Sequence, residues 1–235
     1  MNFPKSKIHE QGIIIPCGPR RLPGDLAVPA GATGLVIFAH GSGSSRHSPR
    51  NRLVARHLRE NGLGTLLFDL LTEAEEREEH DEAHLRFNIS LLAERLAAAT
   101  EWVCREGSVR NLPIGYFGSS TGAAAALVAA AEDARIRAIV SRGGRPDLAG
   151  EYLERVKAPV LLIVGGNDGA VLELNERARG KLKCRKSLSI IPGATHLFEE
   201  PGALQEVARL AAEFFSMEFL PDKNSPLQSS ESGRT

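Results

Sequence analysis

Cysteine is scarce in this chain. Cys17, Cys104 and Cys184 are odd in number, far apart and without a CxxC pair. That pattern excludes a disulfide framework and a thiolate zinc site, and leaves reduced thiols in a cytoplasmic protein. Aromatic residues are few, 5% of the chain, and do not interleave with basic clusters; neither sign of charge is in excess, with 29 basic against 29 acidic residues. The electrostatic footprint of a nucleic-acid binder is therefore missing. No apolar run approaches the ~18–20 residues of a membrane span. The start, Met1-Asn2-Phe3-Pro4-Lys5, lacks the apolar core of a secretion signal. The expectation is a protein with no nucleic-acid and no membrane partner.

What is present fits one α/β domain over residues 1–220 of the 235, with roughly 70–75% of the extended surface buried. The polar tail 221–235, with Pro, Ser and Gly, is expected to be disordered. Ile13-Ile14-Ile15 and Leu22 to Val28 read as an antiparallel hairpin around Gly18-Pro19. The continuous apolar run Gly34 to Ala39 reads as a strand buried on both faces, and Thr65 to Asp69, the apolar run Ile114 to Phe117, Ile136 to Val140, Val160 to Val164 and Ser187 to Ile191 read as further strands. Helical spacing recurs at Leu53 to Leu58, Ile89 to Arg105, Ala123 to Ala131, Leu172 to Leu182 and Leu204 to Phe219. Strands alternating with helices give a mostly parallel sheet of about 7–8 strands, covered on both faces, with functional loops at its carboxyl edge.

Gly118-Ser119-Ser120-Thr121-Gly122 stands between an apolar strand and an alanine-rich helix. G-x-S-x-G at such a junction is a nucleophile elbow. The serine takes a strained conformation at the tip, and glycines let strand and helix approach. A serine hydroxyl needs a base and a group to orient that base. Strand Val160 to Val164 runs into Gly165-Gly166-Asn167-Asp168, and strand Ser187 to Ile191 runs into Pro192-Gly193-Ala194-Thr195-His196. Asp168 alone reads equally as a turn former, and His196 alone as a surface residue. Together with Ser120 they follow the chain order serine, acid, histidine, each in a loop past a strand. Asp69, Asp133 and Asp147 are weaker acids because none follows the strand before the histidine strand. An oxyanion needs two amide donors. Thr121 supplies one, and the loop His40-Gly41-Ser42-Gly43-Ser44 supplies the other, Ser42 first and Gly43 second. The loop lacks a P-loop lysine and the third glycine of a dinucleotide fingerprint. His40 reads as a structural loop residue ahead of a substrate contact.

These motifs resemble the α/β-hydrolase fold, and within it the dienelactone-hydrolase-like group, from about Ile13 to Phe215. The specific parts are His40-Gly41-Ser42-Gly43, the elbow, Gly165-Gly166-Asn167-Asp168 and Gly193-Ala194-Thr195-His196-Leu197-Phe198-Glu199-Glu200-Pro201-Gly202. The resemblance implies a Ser120–His196–Asp168 triad hydrolysing a carboxylic ester through an acyl-enzyme, without metal or organic cofactor. Dienelactone hydrolases use a cysteine nucleophile, whereas this chain has Ser120, so esterase or thioesterase chemistry on a small soluble substrate is expected. Some similar proteins are joined to a phosphoribosyltransferase domain, but no acidic-pair, Gly-rich pyrophosphate loop is present here. The alternatives are a catalytically silent scaffold of the same fold and an acyltransferase.

Glutamates and aspartates crowd Glu73 to Glu82 after Asp69. They form either a solvated segment or a charged roof over the site, unlike a lipase lid. His80-Asp81-Glu82-Ala83-His84 has two histidines at i, i+4, but a displaced glutamate and no third ligand, so no metal is expected. Arg46, Arg50 and Arg52 follow the oxyanion loop; Arg142 and Arg145 follow the Ile136 strand. They either bind an anionic acyl substrate, with His40, Gly43 and Arg142 as substrate contacts, or pair with the acidic segment. Substrate identity and oligomeric state carry no readable motif.

Overall fold

A computed structural model describes residues 8–78 and 84–220. The expected tail 221–235, and all of the His80 to His84 motif except His84, lie outside those residues.

Eight strands form one sheet in the order β1-β2-β4-β3-β5-β6-β7-β8. β1 (Ile8–Cys17) and β2 (Arg20–Pro29) make the antiparallel hairpin, and β2 continues antiparallel onto β4 (Gly64–Phe68). The others, β3 (Leu35–Ala39), β5 (Ile114–Ser119), β6 (Ile136–Arg142), β7 (Val160–Gly165) and β8 (Lys186–Ile191), run parallel to one another and to β4. β3, β4 and β5 are buried along their whole length, as expected of strands whose two faces are both covered.

One face carries α1 (Pro49–Glu60) and α6 (Ala203–Glu218), whose Val54, Leu58, Val207 and Phe215 pack on Val36, Phe38, Phe117 and Val140. The other carries α3 (Ile89–Arg105), α4 (Thr121–Glu132) and α5 (Gly169–Lys181), packed on Ile37, Tyr116, Ile139 and Leu162. α4 is buried from Thr121 to Ala130. A helix apolar on every side has to lie inside, and alanine lets it sit close to the sheet.

α1 begins four residues before the apolar period does. Ser48 caps it by accepting the Asn51 amide at 3.3 Å, and Pro49 fills the first helical position, where no N–H is needed. The charged connection contains a short helix, α2 (Glu73–Glu78), and a single 3-10 turn at Leu85–Phe87. Residues Pro146–Arg155 form further 3-10 turns broken at Gly150, where φ is 54°. They cover α4 with Ala149 and Leu153. No element was expected in that stretch. Its helical pieces are too short to show a period.

The sheet order reverses direction between β3 and β5: chain leaves β3 toward β4 on one side and returns to β5 on the other. Loops leaving the carboxyl ends of these two strands diverge, and the crevice between them is where an open α/β sheet binds ligands.

Candidate active site

The elbow stands at that crevice. Ser120 has φ 50° and ψ −121°, a region that costs a non-glycine residue on the order of 1–3 kcal/mol. The surroundings hold it there. Its N–H donates to the Arg142 carbonyl at 3.3 Å, and its carbonyl accepts from Ala123 and Arg145 at 3.1 and 3.0 Å. A Cβ on Gly122 would fall 2.2 Å from the Ala39 carbonyl oxygen, and one on Gly118 would fall 2.4 Å from the Ala123 Cα. Both positions therefore require glycine. Beneath the elbow, Ser119 Oγ donates to Asn51 Oδ1 at 3.1 Å, tying the strand end to α1. Asn51 is buried and was not expected to take part; it lies in a basic stretch with no motif of its own.

Asp168 and His196 meet. His196 Nδ1 lies 2.7 Å from Asp168 Oδ2. A carboxylate only accepts, so Nδ1 carries the proton and Nε2 keeps a free lone pair. The two loops are laced together by backbone. Asn167 N–H donates to the Ala194 carbonyl at 2.9 Å, Asn167 Nδ2 to the Gly193 carbonyl at 2.9 Å, and Gly166 N–H to the Ile191 carbonyl at 2.8 Å. Gly165 has no room for a Cβ, which would sit 2.3 Å from the Ala194 oxygen. His196 in turn lies against Gly143, with Nδ1 3.5 Å from where a Gly143 Cβ would be. The Ser120 hydroxyl makes no hydrogen bond among the described residues, so the Ser120–His196 link is open.

The competing acids are all committed to arginines. Asp69 accepts the Arg46 amide at 2.7 Å and pairs with its guanidinium. Asp133 pairs with Arg135, and Asp147 receives Arg145 through two bonds of 2.9 and 2.8 Å. The Arg46 pair fixes the loop after Gly43.

In that loop, Ser42 N–H donates to Thr121 Oγ1 at 3.0 Å, which brings the two expected oxyanion donors side by side. Gly41 passes so close to the elbow that a Cβ there would be 3.1 Å from the Ser120 Cβ. Gly43, at φ 69°, is exposed and shapes the turn. His40 is buried. Its Nε2 accepts the Leu70 amide at 3.0 Å, so its proton is on Nδ1 and donates to the Gly41 carbonyl at 3.0 Å. Burial holds its pKa below the ordinary histidine value. With both nitrogens spent, His40 braces the loop and has no polar atom left for a substrate.

A cavity of about 510 Å³ opens beside this loop, between Gly41 to Gly43 on one side and Leu70, Leu71 and Leu92 on the other. Arg50 and Glu76 reach it; Ser120 and His196 do not line it. The acidic connection is partly anchored. The buried Glu75 accepts from Thr72 N and Oγ1, and binds Arg95 at 3.0 Å and Arg20 at 3.2 Å. None of its described acids pairs with Arg142. Among the described residues no cluster of three or more His, Cys, Asp or Glu could hold a metal ion, and no helix is long and apolar enough to cross a membrane.

The Dienelactone hydrolase family profile matches residues 22–217. A crystal structure of a dienelactone hydrolase from Anabaena variabilis is 55% identical, covers 90% of this chain and 98% of its own, and superposes with a TM-score of 0.88. Est1E from Butyrivibrio proteoclasticus, 19% identical over 88% of this chain and 98% of its own, shares the fold with a TM-score of 0.73. A Mycobacterium tuberculosis protein with the provisional name phosphoribosyl transferase Rv0571c is 54% identical over 88% of this chain. That match covers 46% of the relative, so the chain spans about half the length of the curated proteins it matches.

Proposed function

The chain belongs to the dienelactone hydrolase family, and from that premise we propose that it is a serine hydrolase cleaving a carboxylic ester or thioester of a small substrate. One observation carries the reading most directly: Ser120, a residue with a Cβ, is held at a strained φ of 50° over the end of β5. Nothing in sheet packing calls for that conformation, and strain of this kind marks functional positions.

The chemistry follows from the geometry. His196 Nε2, free because Nδ1 is committed to Asp168, takes the Ser120 proton as Oγ attacks the carbonyl carbon. Asp168 holds the ring in that tautomer and stabilises the imidazolium. Negative charge on the carbonyl oxygen is met by the amides of Thr121 and Ser42, and the entering oxygen displaces the Thr121 hydroxyl from the Ser42 amide. Loss of one such donor costs ~3–4 kcal/mol. The leaving alcohol or thiol takes the proton from His196. Water then repeats the sequence on the acyl-enzyme and releases the acid. The scheme uses no metal and no organic cofactor. The open Ser120–His196 link closes when substrate is bound, since such bonds are commonly long in free enzymes.

The open link is also what a catalytically silent scaffold would show. A fluorophosphonate probe separates the two readings. The proposal expects labelling that vanishes in Ser120→Ala; folded wild-type protein that takes no label would overturn it. A graded panel of p-nitrophenyl esters and acyl-CoA thioesters, with and without an alcohol acceptor, then distinguishes ester, thioester and acyl-transfer chemistry. The phosphoribosyl transferase name belongs to a relative twice as long. We infer that it describes the half outside the match, since this chain has no pyrophosphate loop.

A further inference from the structure

α1 carries an arginine face that its packing does not use. Arg52, Arg56 and Arg59 stand at i, i+4 and i+7, so they share one side of the helix. Like charges at such spacings weaken a helix. Arg52 and Arg56 are exposed, and their guanidiniums make no ion pair or hydrogen bond among the described residues. Arg59 is partly buried. Its Nη1 donates to Thr65 Oγ1 at 3.2 Å and its Nη2 lies 4.0 Å from Glu10, while Nε is shut off from solvent without a partner. Burial, and after it the charges of Arg56 and Arg52, hold its pKa below the ordinary arginine value against the pull of Glu10.

The three side chains line a groove of about 430 Å³ between α1 and the β1–β2 hairpin. Glu10 and Gly12 of β1 point to the same sheet face, level with Ala27 and Asp25 of β2, and Leu67 of β4 continues the floor. Nothing stands within 4 Å of where a Gly12 Cβ would be, so the floor is open there. The carboxylates of Glu10 and Asp25 thus oppose the arginine wall, and Asp25 has only a long contact of 3.8 Å with Arg46. His47 borders both this groove and the cavity beside the oxyanion loop; Ser120, Asp168 and His196 do not line it.

Two guanidiniums without partners, beside a third with an unfilled donor, call for an anion. Their two unpaired charges match a phosphate monoester, which carries about −1.5 to −2 at neutral pH. The planar donor fork of arginine also takes phosphate oxygens in pairs. The opposing carboxylates decide the rest. They repel further anionic groups, which disfavours a nucleic acid, a polyphosphate or an acidic peptide, and they accept hydrogen bonds from hydroxyls. A cavity of this volume is the size that holds a small organic molecule rather than a bare ion. We propose that the groove is a binding site for a sugar phosphate, with the phosphate on Arg52, Arg56 and Arg59 and the hydroxyls on Glu10 and Asp25. The site is separate from Ser120 and does not rest on the hydrolase reading.

Isothermal titration of the full chain with glucose 6-phosphate, ribose 5-phosphate, inorganic phosphate and glucose tests this. At least one sugar phosphate is expected to bind, inorganic phosphate about tenfold more weakly, and glucose not at all. Arg52→Gln and Arg56→Gln alter exposed side chains and are each expected to weaken sugar-phosphate binding by about tenfold. Arg105→Gln, at the exposed end of α3, is the control for diffuse surface charge and is expected to change nothing. Glu10→Ala is expected to weaken the sugar phosphate while leaving inorganic phosphate as tight or tighter, because a repelling carboxylate has gone.

Gly12→Phe fills the open floor without touching a charge, in a strand that favours aromatic residues, and is expected to abolish binding. Should that variant not fold, the two glutamine variants and Glu10→Ala decide alone. No binding of either sugar phosphate would overturn the site, as would binding that Arg52→Gln and Arg56→Gln weaken no more than Arg105→Gln does. Unchanged binding in folded Gly12→Phe would place the ligand outside the groove and overturn it too. Inorganic phosphate binding as tightly as the sugar phosphates, or Glu10→Ala weakening both alike, would overturn the sugar assignment.

Discussion

Asp168 is the N-cap residue of α5, yet its carboxylate makes no capping bond and lies instead 2.7 Å from His196 Nδ1. Aspartate is among the best helix caps, and using it so contributes about 1 kcal/mol. Here that contribution is given up. Ser120, the N-cap residue of α4, leaves its hydroxyl out of capping as well. Two strong capping residues are thus withheld from two helices at one edge of the sheet. Asp168→Asn keeps the shape but turns an acceptor-only group into one that can present a donor to Nδ1, favouring the wrong imidazole tautomer. The expected result is a fall in kcat of about 10³–10⁴-fold on any ester the wild type turns over, with an unchanged circular dichroism spectrum. Near-normal kcat would remove Asp168 from the triad.

Strain at Ser120 predicts opposite fates for activity and stability. Glycine takes φ 50°, ψ −121° without penalty, whereas alanine does not. Relief of strain, less the added freedom of glycine in the unfolded chain, leaves Ser120→Gly about 1 kcal/mol more stable than Ser120→Ala, and both inactive. Urea unfolding of the pair measures the difference directly. Equal midpoints would mean that the elbow holds its serine without strain.

Much of this site can be read from the sequence because chain order and strand ends place it. β5 and β7 are largely apolar and β8 is a short Ser-Leu-Ser-Ile-Ile stretch closed by Pro192-Gly193, and a residue just past such a strand lies at the sheet's carboxyl edge; that suffices to place Ser120, Asp168 and His196. What escaped reading has no period or has a partner far away. α1 starts at Pro49 rather than at Leu53 because its first turn, Pro49-Arg50-Asn51-Arg52, has no aliphatic or aromatic side chain to show a helical period after the proline. The 3-10 turns of Pro146–Arg155 are too short to repeat. Asn51 under Ser119, Arg46 on Asp69 and the ring contacts of His40 join residues 68, 23 and 30 positions apart, and only the folded chain brings them together. Arg142 could be named as a candidate from its place after β6, but its burial and lack of a counterion could not.

His40 makes stability depend on pH. Its folded pKa lies below the ~6.5 of an unfolded histidine because burial disfavours the cation. The unfolded chain thus takes up a proton in a range where the folded chain does not. The stabilisation is present in full above ~6.5, is lost as pH falls toward the depressed folded value, and changes no further below it. The slope contributed is at most ~1.4 kcal/mol per pH unit. Gln at this position can accept from Leu70 and donate to Gly41 without titrating. Denaturant unfolding at pH 7.5, 6.5 and 5.5 is expected to show a shallower acid-side loss in His40→Gln. Parallel curves for the two proteins would show that another group controls the acid limb.

Glu75 anchors the acidic connection from inside. Its side chain is 5% exposed, as Arg95's is 7%, and the pair at 3.0 Å joins α2 to α3. Breaking a buried pair from one side leaves a charge with no partner, which costs about 3–5 kcal/mol. Glu75→Gln is therefore expected to lower stability by that order, and Arg95→Met to lower it similarly. The double variant Glu75→Gln/Arg95→Met should recover a large part of the loss, because neither charge then remains buried. A double-mutant cycle in urea tests this; additive losses would mean that the two side chains act independently.

Gly122 gives the sharpest steric test, because the atoms its Cβ would strike cannot move aside. They are the carbonyl oxygens of Ala39 and His40, 2.2 and 2.5 Å away, both in backbone at the end of β3. Relief would require α4 to shift against the sheet, taking Thr121 and the elbow with it. Gly122→Ala is expected to cost at least about 3 kcal/mol, above the 1–3 kcal/mol typical of overpacking, and to abolish fluorophosphonate labelling in whatever protein folds. Gly180, in the last turn of α5, has open space where a Cβ would stand. Gly180→Ala is a control that should gain about 0.5–1 kcal/mol through helix propensity alone. If Gly122→Ala unfolds at the wild-type midpoint while Gly180→Ala shifts as expected, the close approach of α4 to β3 is wrong. The oxyanion geometry built on it, with Thr121 beside Ser42, would then fail too.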